Sequence, residues 1–354
     1  MIISIGMFAW NEEDVIEGAI RSLLQQSVFR GHKGCFDNAV WEIVVVANGC
    51  IDSTVEVARR TLEVCTEELR SGIVRGSVCE IKEAGKSNAW NKFVHERSHP
   101  DTGIFVMLDS DIEFGDPDTI FNSVQLLLDD PSCLVAVDKP LKHFAKKERP
   151  TFLEKLSLKF SDQTLDGNPA IAGSFYCARV HTLKSVWMPK GLSCEDGFLK
   201  AMVITDAFRS EVNPRSIRRA DNASHFYEGL TNPLAIFKHE LRMVIGTTLN
   251  CYLTWDFLLF AIHPNGPGAG ELIRTRLERD PDWYKKFLNN EIKNRGYWVL
   301  PRNILWRRIS PLRSLRPRQW LRRLPLAIVG FLVDLPVFLA ANRRLKKGTA
   351  IGYW

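Results

Sequence analysis

Asp109 and Asp111 stand one residue apart, directly after the apolar run Ile104-Phe105-Val106-Met107-Leu108. Such a run reads as a buried strand, and open parallel sheets bind ligands beyond the carboxyl ends of their strands. Two acids there can aim at one point. Hard carboxylate oxygens, few in number, suit a divalent cation that shares its coordination with a nucleoside diphosphate. Taken alone, the pair reads equally well as a helix cap or an acidic turn. Other chemistries lack their residues. Residues 6–18 hold no G-x-G-x-x-G for a dinucleotide. No two of the eight cysteines have the close spacing of a zinc knuckle. They read as reduced thiols in a cytosolic protein.

The acids need a scaffold, and the first half of the sequence supplies one. Residues 2–8 read as a strand, and residues 13–26 as a helix with Val15, Ile16, Ala19, Ile20, Leu23 and Leu24 on one stripe. Ile43-Val44-Val45-Val46 is a β-branched run suited to a strand covered on both faces. Asp52-Ser53-Thr54 offers caps for a helix running to about residue 69. Strands over 78–82 and 104–108 alternate with helices over 86–95 and 118–129. This alternation predicts an α/β fold, a mostly parallel sheet with helices on both faces. A strand follows over 134–137, the sheet resumes over 169–178, and a helix covers 195–204. Residues 215–226 read as a strand pair. Residues 139–168 carry no legible code. From 233 onward the pattern is helical, broken at Pro264-Asn265-Gly266-Pro267-Gly268.

The chain has 354 residues, of which 45% are hydrophobic and 25% charged. That mix excludes a disordered chain and a polytopic membrane protein. The formal charge of +6 is unevenly spread: residues 301–347 hold twelve Lys/Arg and one acid, Asp334, so the first 300 residues are at −5. A basic tail on an acidic body points to a polyanionic partner. Within the tail, residues 324–341 are an 18-residue apolar run with two prolines, flanked by Arg322-Arg323 and by Arg343-Arg344. A straight span needs about 20 apolar residues, and basic flanks on both sides keep both ends cytoplasmic. A membrane-surface element, or a hairpin bent near Pro336, fits better than a span. A spanning helix and a packed helix stay open. Trp306 and Trp320 lie in the tail, but no nucleic-acid module accompanies them, so nucleic acid is not an expected partner. The start, Met1-Ile2-Ile3-Ser4-Ile5-Gly6, lacks a basic region and meets Asn11-Glu12-Glu13-Asp14 at once; it reads as a strand and not a signal peptide.

Five segments, in order, resemble the family 2 glycosyltransferases of GT-A fold. They are Phe8-Ala9-Trp10-Asn11-Glu12-Glu13, Val46-Ala47-Asn48-Gly49-Cys50-Ile51-Asp52-Ser53-Thr54, Gly85-Lys86-Ser87-Asn88-Ala89-Trp90-Asn91, Asp109-Ser110-Asp111, and Ala172-Gly173-Ser174-Phe175-Tyr176-Cys177-Ala178-Arg179 with Ser193-Cys194-Glu195-Asp196. The resemblance covers residues 1–230. It implies a GT-A catalytic domain there, with a helical extension over 231–300 and a membrane-associating segment over 301–354.

By that resemblance Phe8, Trp10 and Glu12 line the nucleotide base, with Trp10 stacking on it. Asn48 stands where many UDP-sugar users have an aspartate; UDP is slightly favoured, but the base stays open. Lys86 reaches phosphate or the ribose side. Asp109 meets ribose or sugar and, with Asp111 and His225, forms the expected ligand set for Mn²⁺ or Mg²⁺. Gly173 and Ser174 sit near the donor or acceptor sugar. Asp196, next to Glu195, is the expected base that takes the proton of the acceptor hydroxyl. No Q-x-x-R-W motif is present, which favours a single transfer per encounter. The implied activity moves one sugar from a nucleoside-diphosphate sugar to a glycan or lipid-linked acceptor in cell-surface polysaccharide or glycolipid synthesis. It places the chain on the cytoplasmic face of an anionic membrane. The alternative is a catalytically degenerate protein acting as a membrane-surface scaffold.

Overall fold

The computed structural model describes residues 1–30, 39–67, 69, 74–151, 154, 155, 158, 169–310, 312 and 317–348. The strands are β1 (Ile2–Ala9), β2 (Val40–Asn48), β3 (Val74–Ile81), β4 (Thr102–Asp109), β5 (Glu113–Phe114), β6 (Val135–Lys142), β7 (Phe175–Arg179) and β8 (Ile217–Tyr227). They form one sheet in the order β3-β2-β1-β4-β7-β6-β8-β5. β3, β2, β1 and β4 run parallel. β7 is antiparallel to β4 and β6, and β8 is parallel to β6. Residues 217–227 are thus one strand, not a pair. A left-handed residue, Asn222, interrupts it where its register against β6 shifts.

The alternation of side chains along β1, β2 and β4 explains the layers. Ile3, Ile5, Met7, Ile43, Val45, Ile104, Val106 and Leu108 face one core, closed by α1 (Ile16–Leu24), α2 (Thr54–Glu67) and α4 (Thr119–Asp129). Phe8, Val44, Val46, Phe105 and Met107 face the other. That face is closed by α3 (Lys86–Lys92), α5 (Glu195–Ile204), α6 (Pro233–Cys251), α7 (Ala269–Arg279), α8 (Trp283–Asn294) and α9 (Pro317–Lys346). The helices after residue 232 therefore share a core with the sheet.

Residues 317–346 of the tail form a single helix. α9 runs through both Pro325 and Pro336, so the hairpin expected at Pro336 does not form. Its inner face buries Val337, Phe338, Ala341 and Leu345. Its one acid, Asp334, accepts from Nε of Arg307 and Nε of Arg308, both at 2.9 Å. Arg307 also donates to Glu240 of α6 at 2.7 Å. A carboxylate alone in an apolar helix would be costly; two guanidinium groups neutralise it. The outer face leaves Ile328, Val329, Leu332, Val333 and Leu339 exposed. Among the described residues two helical stretches, 233–261 and 319–346, are long and apolar enough to cross a membrane, but their surroundings differ. The first is 61% buried and belongs to the core; the second is 29% buried and keeps an open apolar face.

The turn after β2 needs a glycine. Gly49 has φ +69°, and a Cβ there would lie 2.6–2.7 Å from the backbone and Cβ of Ala84. Gly49→Ala combines a strained backbone with a contact that only main-chain movement relieves. It should lower unfolding free energy by about 2–3 kcal/mol, read as a reduced denaturation midpoint.

Candidate active site

An open cleft of about 640 Å³ lies beyond the carboxyl ends of β1, β2 and β4. β1 is flanked there by β2 on one side and β4 on the other, the reversal in strand order at which α/β sheets open a crevice. Because β7 runs antiparallel to β4, its first residues join the same edge. Asp109 N–H donates to the Ser174 carbonyl at 3.0 Å, and Ser110 N–H to the Phe8 carbonyl at 3.1 Å.

Two turns lock together to form one wall. Glu12 N–H donates to Thr54 Oγ1 at 2.8 Å, and Thr54 Oγ1 donates to Asp52 at 2.6 Å. Glu13 accepts from Ser53 N–H at 2.8 Å, and Asn11 Oδ1 from Ile51 N–H at 2.9 Å. Asn48 ties a third turn in: its Nδ2 donates to the Ala9 carbonyl at 2.8 Å and its Oδ1 accepts from Gly85 N–H at 3.0 Å. Asn48 is 4% exposed and still lines the cleft. One amide hydrogen and one lone pair remain for a ligand. Trp10 is 53% exposed at the rim, whereas Phe8 is buried edge-on against Phe93.

The floor is ionic. Lys86 Nζ lies 2.7 Å from Asp109 and 3.0 Å from Glu195, and Nζ is 3.4 Å from the Gly173 carbonyl. Gly173 leaves room for this meeting, since a Cβ there would lie 3.1 Å from Glu195 Oε1 and 3.2 Å from Lys86 Nζ. Burial disfavours the Lys86 charge, but Asp109 and Glu195 outweigh it and hold the ammonium above its usual range. Burial pushes the Asp109 carboxyl up to about 6 against the pull of Lys86. Burial also opposes ionisation of Glu195, but Lys86 overcomes it and holds that carboxyl low. Asp196 is raised by burial and by Glu195. Glu12 is raised to about 7, by burial first and then by Asp111, Asp109, Asp52 and Glu228.

Eleven of the twelve residues singled out in the sequence line this cleft: Phe8, Trp10, Glu12, Asn48, Lys86, Asp109, Asp111, Gly173, Ser174, Glu195 and Asp196. His225 does not. It is fully buried on β8, with Nδ1 2.8 Å from Asp138 and Nε2 2.9 Å from Ser174 Oγ. Both ring nitrogens are committed, so as placed it is no ligand to a cation at Asp111. Among the described residues no three His, Cys, Asp or Glu side chains are gathered as a ready metal cage. The donors nonetheless fit a hard divalent ion that brings ligands of its own. Asp111 is exposed, carboxylate oxygen is the donor type such ions take, and Glu12, raised first by burial, is raised further by the charges of Asp111 and Asp109.

The sequence reading missed the opposite wall. His239, Arg242 and Met243 come from α6, which folds back over the cleft. Arg242 has no carboxylate partner among the described residues; its Nη2 lies 3.5 Å from His239 Nδ1. The helix is held there by Asn250, which donates to the Cys194 carbonyl at 2.6 Å, and by Gly246, whose Cβ would lie 2.4 Å from Cys194 Sγ. The i, i+3 spacing of His239 and Arg242 was visible, but nothing local says which helix face meets the cleft. Of residues 139–168, which carry no legible code in the sequence, Pro140 lines the cleft, while 152, 153, 156, 157 and 159–168 lie outside the described residues.

The family model for glycosyl transferase family 2 matches residues 4–183. A mannosyltransferase from Pyrobaculum calidifontis, solved with GDP-Man and Mn²⁺, has the same fold, with TM-score 0.52 and 14% identity over 99% of this chain and 87% of that one. A glucosyl-3-phosphoglycerate synthase from Mycobacterium tuberculosis, solved with Mn²⁺, UDP and glucosyl-3-phosphoglycerate, gives TM-score 0.46 and 18% identity over 71% of this chain and 80% of its own. A search of curated protein sequences finds no significant match.

The raised Glu12 has a definite pH signature. A carboxyl whose folded value lies above its unfolded one costs no stability while both states are protonated; the cost appears as pH rises from the unfolded value, 4.5, through about 7. In chelator, Glu12→Gln should therefore match the parent chain below pH 4.5 and exceed it in melting temperature above pH 7. Equal midpoints at pH 8 would contradict the assigned charge balance.

Proposed function

Because the chain belongs to glycosyl transferase family 2, we propose that this glycosyltransferase carries out a metal-dependent, inverting transfer. One sugar passes from a nucleoside-diphosphate sugar to a hydroxyl of a glycan or lipid-linked acceptor in cell-surface polysaccharide or glycolipid synthesis. The observation that carries this reading is the meeting of two acid pairs across one cleft. Asp109 and Asp111 end β4, Glu195 and Asp196 begin α5, and Lys86 joins them.

The residues divide the work. Trp10 at the rim offers a face on which a base stacks. Asn48 offers the base its remaining hydrogen and lone pair. Asp111, with Asp109, would hold Mn²⁺ or Mg²⁺, which supplies positive charge to the departing diphosphate. Lys86 keeps Asp109 and Glu195 ionised and apart from each other. Asp196 is the base: as the acceptor oxygen attacks the anomeric carbon, the bond from that carbon to the diphosphate breaks, and the hydroxyl proton passes to Asp196. Its raised carboxyl makes it the more basic of the two acids on α5. Asp196 Oδ1 already accepts from Gly197 N–H at 2.8 Å, which fixes its rotamer. Arg242 adds positive charge on the far wall, suited to diphosphate or to an anionic acceptor, while burial and Arg242 itself hold His239 toward its neutral form.

Membrane attachment belongs to the same proposal. The exposed face of α9, from Ile328 to Leu339, is apolar, and Arg343, Arg344, Lys346 and Lys347 follow it. Such a helix lies in the interface of an anionic leaflet. The link from Asp334 through Arg307 to Glu240 would then hold the cleft wall, α6, at a set place relative to the lipid. We place the GT-A catalytic domain within residues 1–230, the helical extension that closes its cleft with α6 within 231–300, and this attachment within 301–354, on the cytoplasmic side.

Thermal shift with UDP, GDP, CDP and dTDP, each in Mn²⁺ and in EDTA, tests the donor site. One nucleotide should stabilise the chain only in Mn²⁺, by about 2.7 kcal/mol at 100 times its Kd. Asp111→Ala should abolish that shift. Asp196→Asn should keep it while transfer falls at least a hundredfold; near-full transfer would remove Asp196 as the base. No shift with any nucleotide would support the scaffold reading instead.

For the tail, Leu332→Glu with Val333→Glu should weaken binding to phosphatidylglycerol-containing vesicles at least tenfold. High salt should weaken the parent chain as well. Flotation with vesicles checks both.

A further inference from the structure

Asp138 and His225 are 2% and 0% exposed, yet neither serves the chemistry above. They lie on the neighbouring strands β6 and β8. A buried polar pair of this kind needs its hydrogen bonds satisfied in full, and here they run in one line. Both oxygens of Asp138 lie close to His225 Nδ1, at 2.8 and 3.0 Å. The carboxylate only accepts, so the imidazole carries its proton on Nδ1. In the neutral ring Nε2 is then a lone pair, and the group facing it at 2.9 Å is the Ser174 hydroxyl. Ser174 must donate to it. Its proton is thereby turned away from the cleft it lines, and the lone pairs of Oγ are left toward any ligand.

We propose that Asp138 and His225 fix the hydrogen-bond polarity of Ser174, making its Oγ an acceptor subsite for a hydroxyl of the donor sugar. The polarity excludes the obvious competitor. Phosphate oxygens are acceptors, and a serine whose only proton is already given to His225 has none for them. The location selects the donor sugar over the acceptor: the Ser174 carbonyl holds Asp109 N–H, and neighbouring Gly173 contacts Lys86, so the subsite sits on the Asp109 side of the cleft. Ser174 is the contact residue; Asp138 and His225 are positioning residues. The proposal rests on the donor reading above and adds to it which group of the donor is read, and how.

Two measurements test it. In protein labelled with ¹⁵N-histidine, the His225 signal, identified by its loss in His225→Asn, should show a protonated Nδ1 and an unprotonated Nε2. A proton on Nε2 instead overturns the proposal, because Ser174 would then point its own proton into the cleft. Second, calorimetry in Mn²⁺ compares UDP and GDP with UDP-glucose, UDP-galactose and GDP-mannose. Ser174→Ala should leave the affinity for the bound diphosphate within twofold and lose about fivefold of the extra affinity contributed by the sugar. Ser174→Thr, which keeps the hydroxyl, should retain most of it. Equal loss for diphosphate and sugar nucleotide, an unchanged sugar contribution in Ser174→Ala, or no sugar contribution in the parent chain overturns the subsite alone. A parent chain that binds no diphosphate overturns the donor reading, and this proposal with it.

Discussion

The cleft depends on one ammonium group. Lys86 stands between Asp109, at the end of β4, and Glu195, at the start of α5. Without it, carboxylates from two distant parts of the chain would face each other half-buried, and the folded state would protonate one of them or separate them. Asp109 shows how close that balance is, since its carboxyl is raised despite the direct ion pair. The lysine therefore decides where α5 can dock, and through α5 where Asp196 stands. Mutual repulsion remains around Glu12 and Asp111, where a cation and a diphosphate would relieve it.

Much of this was legible in the sequence because the information was local. The β-branched run at Ile43–Val46 and the apolar run before Asp109 could only be buried strands. The turns after β1 and β2 carry side chains that bond the backbone of the other turn: Thr54 Oγ1 accepts from Glu12 N–H, and the Glu13 carboxylate from Ser53 N–H. Strand order was not legible. That β7 runs antiparallel beside β4, which brings Gly173 and Ser174 to Asp109, follows from a crossover no short window contains. The same limit hid Arg242 and His239: their helix reaches the cleft only because Gly246 lets it close on Cys194.

The tail shows the difference between composition and packing. Its apolar run with two prolines resembled a bent hairpin, and in isolation proline opposes helix. Tertiary packing overrides this. Val337, Phe338 and Ala341 are buried against the body, and Asp334 is neutralised by Arg307 and Arg308 from outside the helix. What remains exposed is one apolar face beside a basic end. Since Arg307 also grips Glu240, one residue from His239, the helix that would meet lipid and the wall that would meet substrate are joined by two ion pairs.

His225 separates position from role. A histidine late in the chain, after a strand, suits a metal ligand by its place in the order of motifs. What the order cannot carry is how deep the side chain sits. On β8 His225 and Tyr227 share one face, their rings 6.3 Å apart; Tyr227 lines the cleft, while His225 is fully buried against Asp138 and Ser174. With both ring nitrogens engaged, a divalent cation at Asp111 would have the carboxylates that follow β4 and what a diphosphate brings. A metal held by so few protein groups would owe its affinity to the bound nucleotide, metal and donor would bind as one unit, and discrimination would fall to the groups around the sugar.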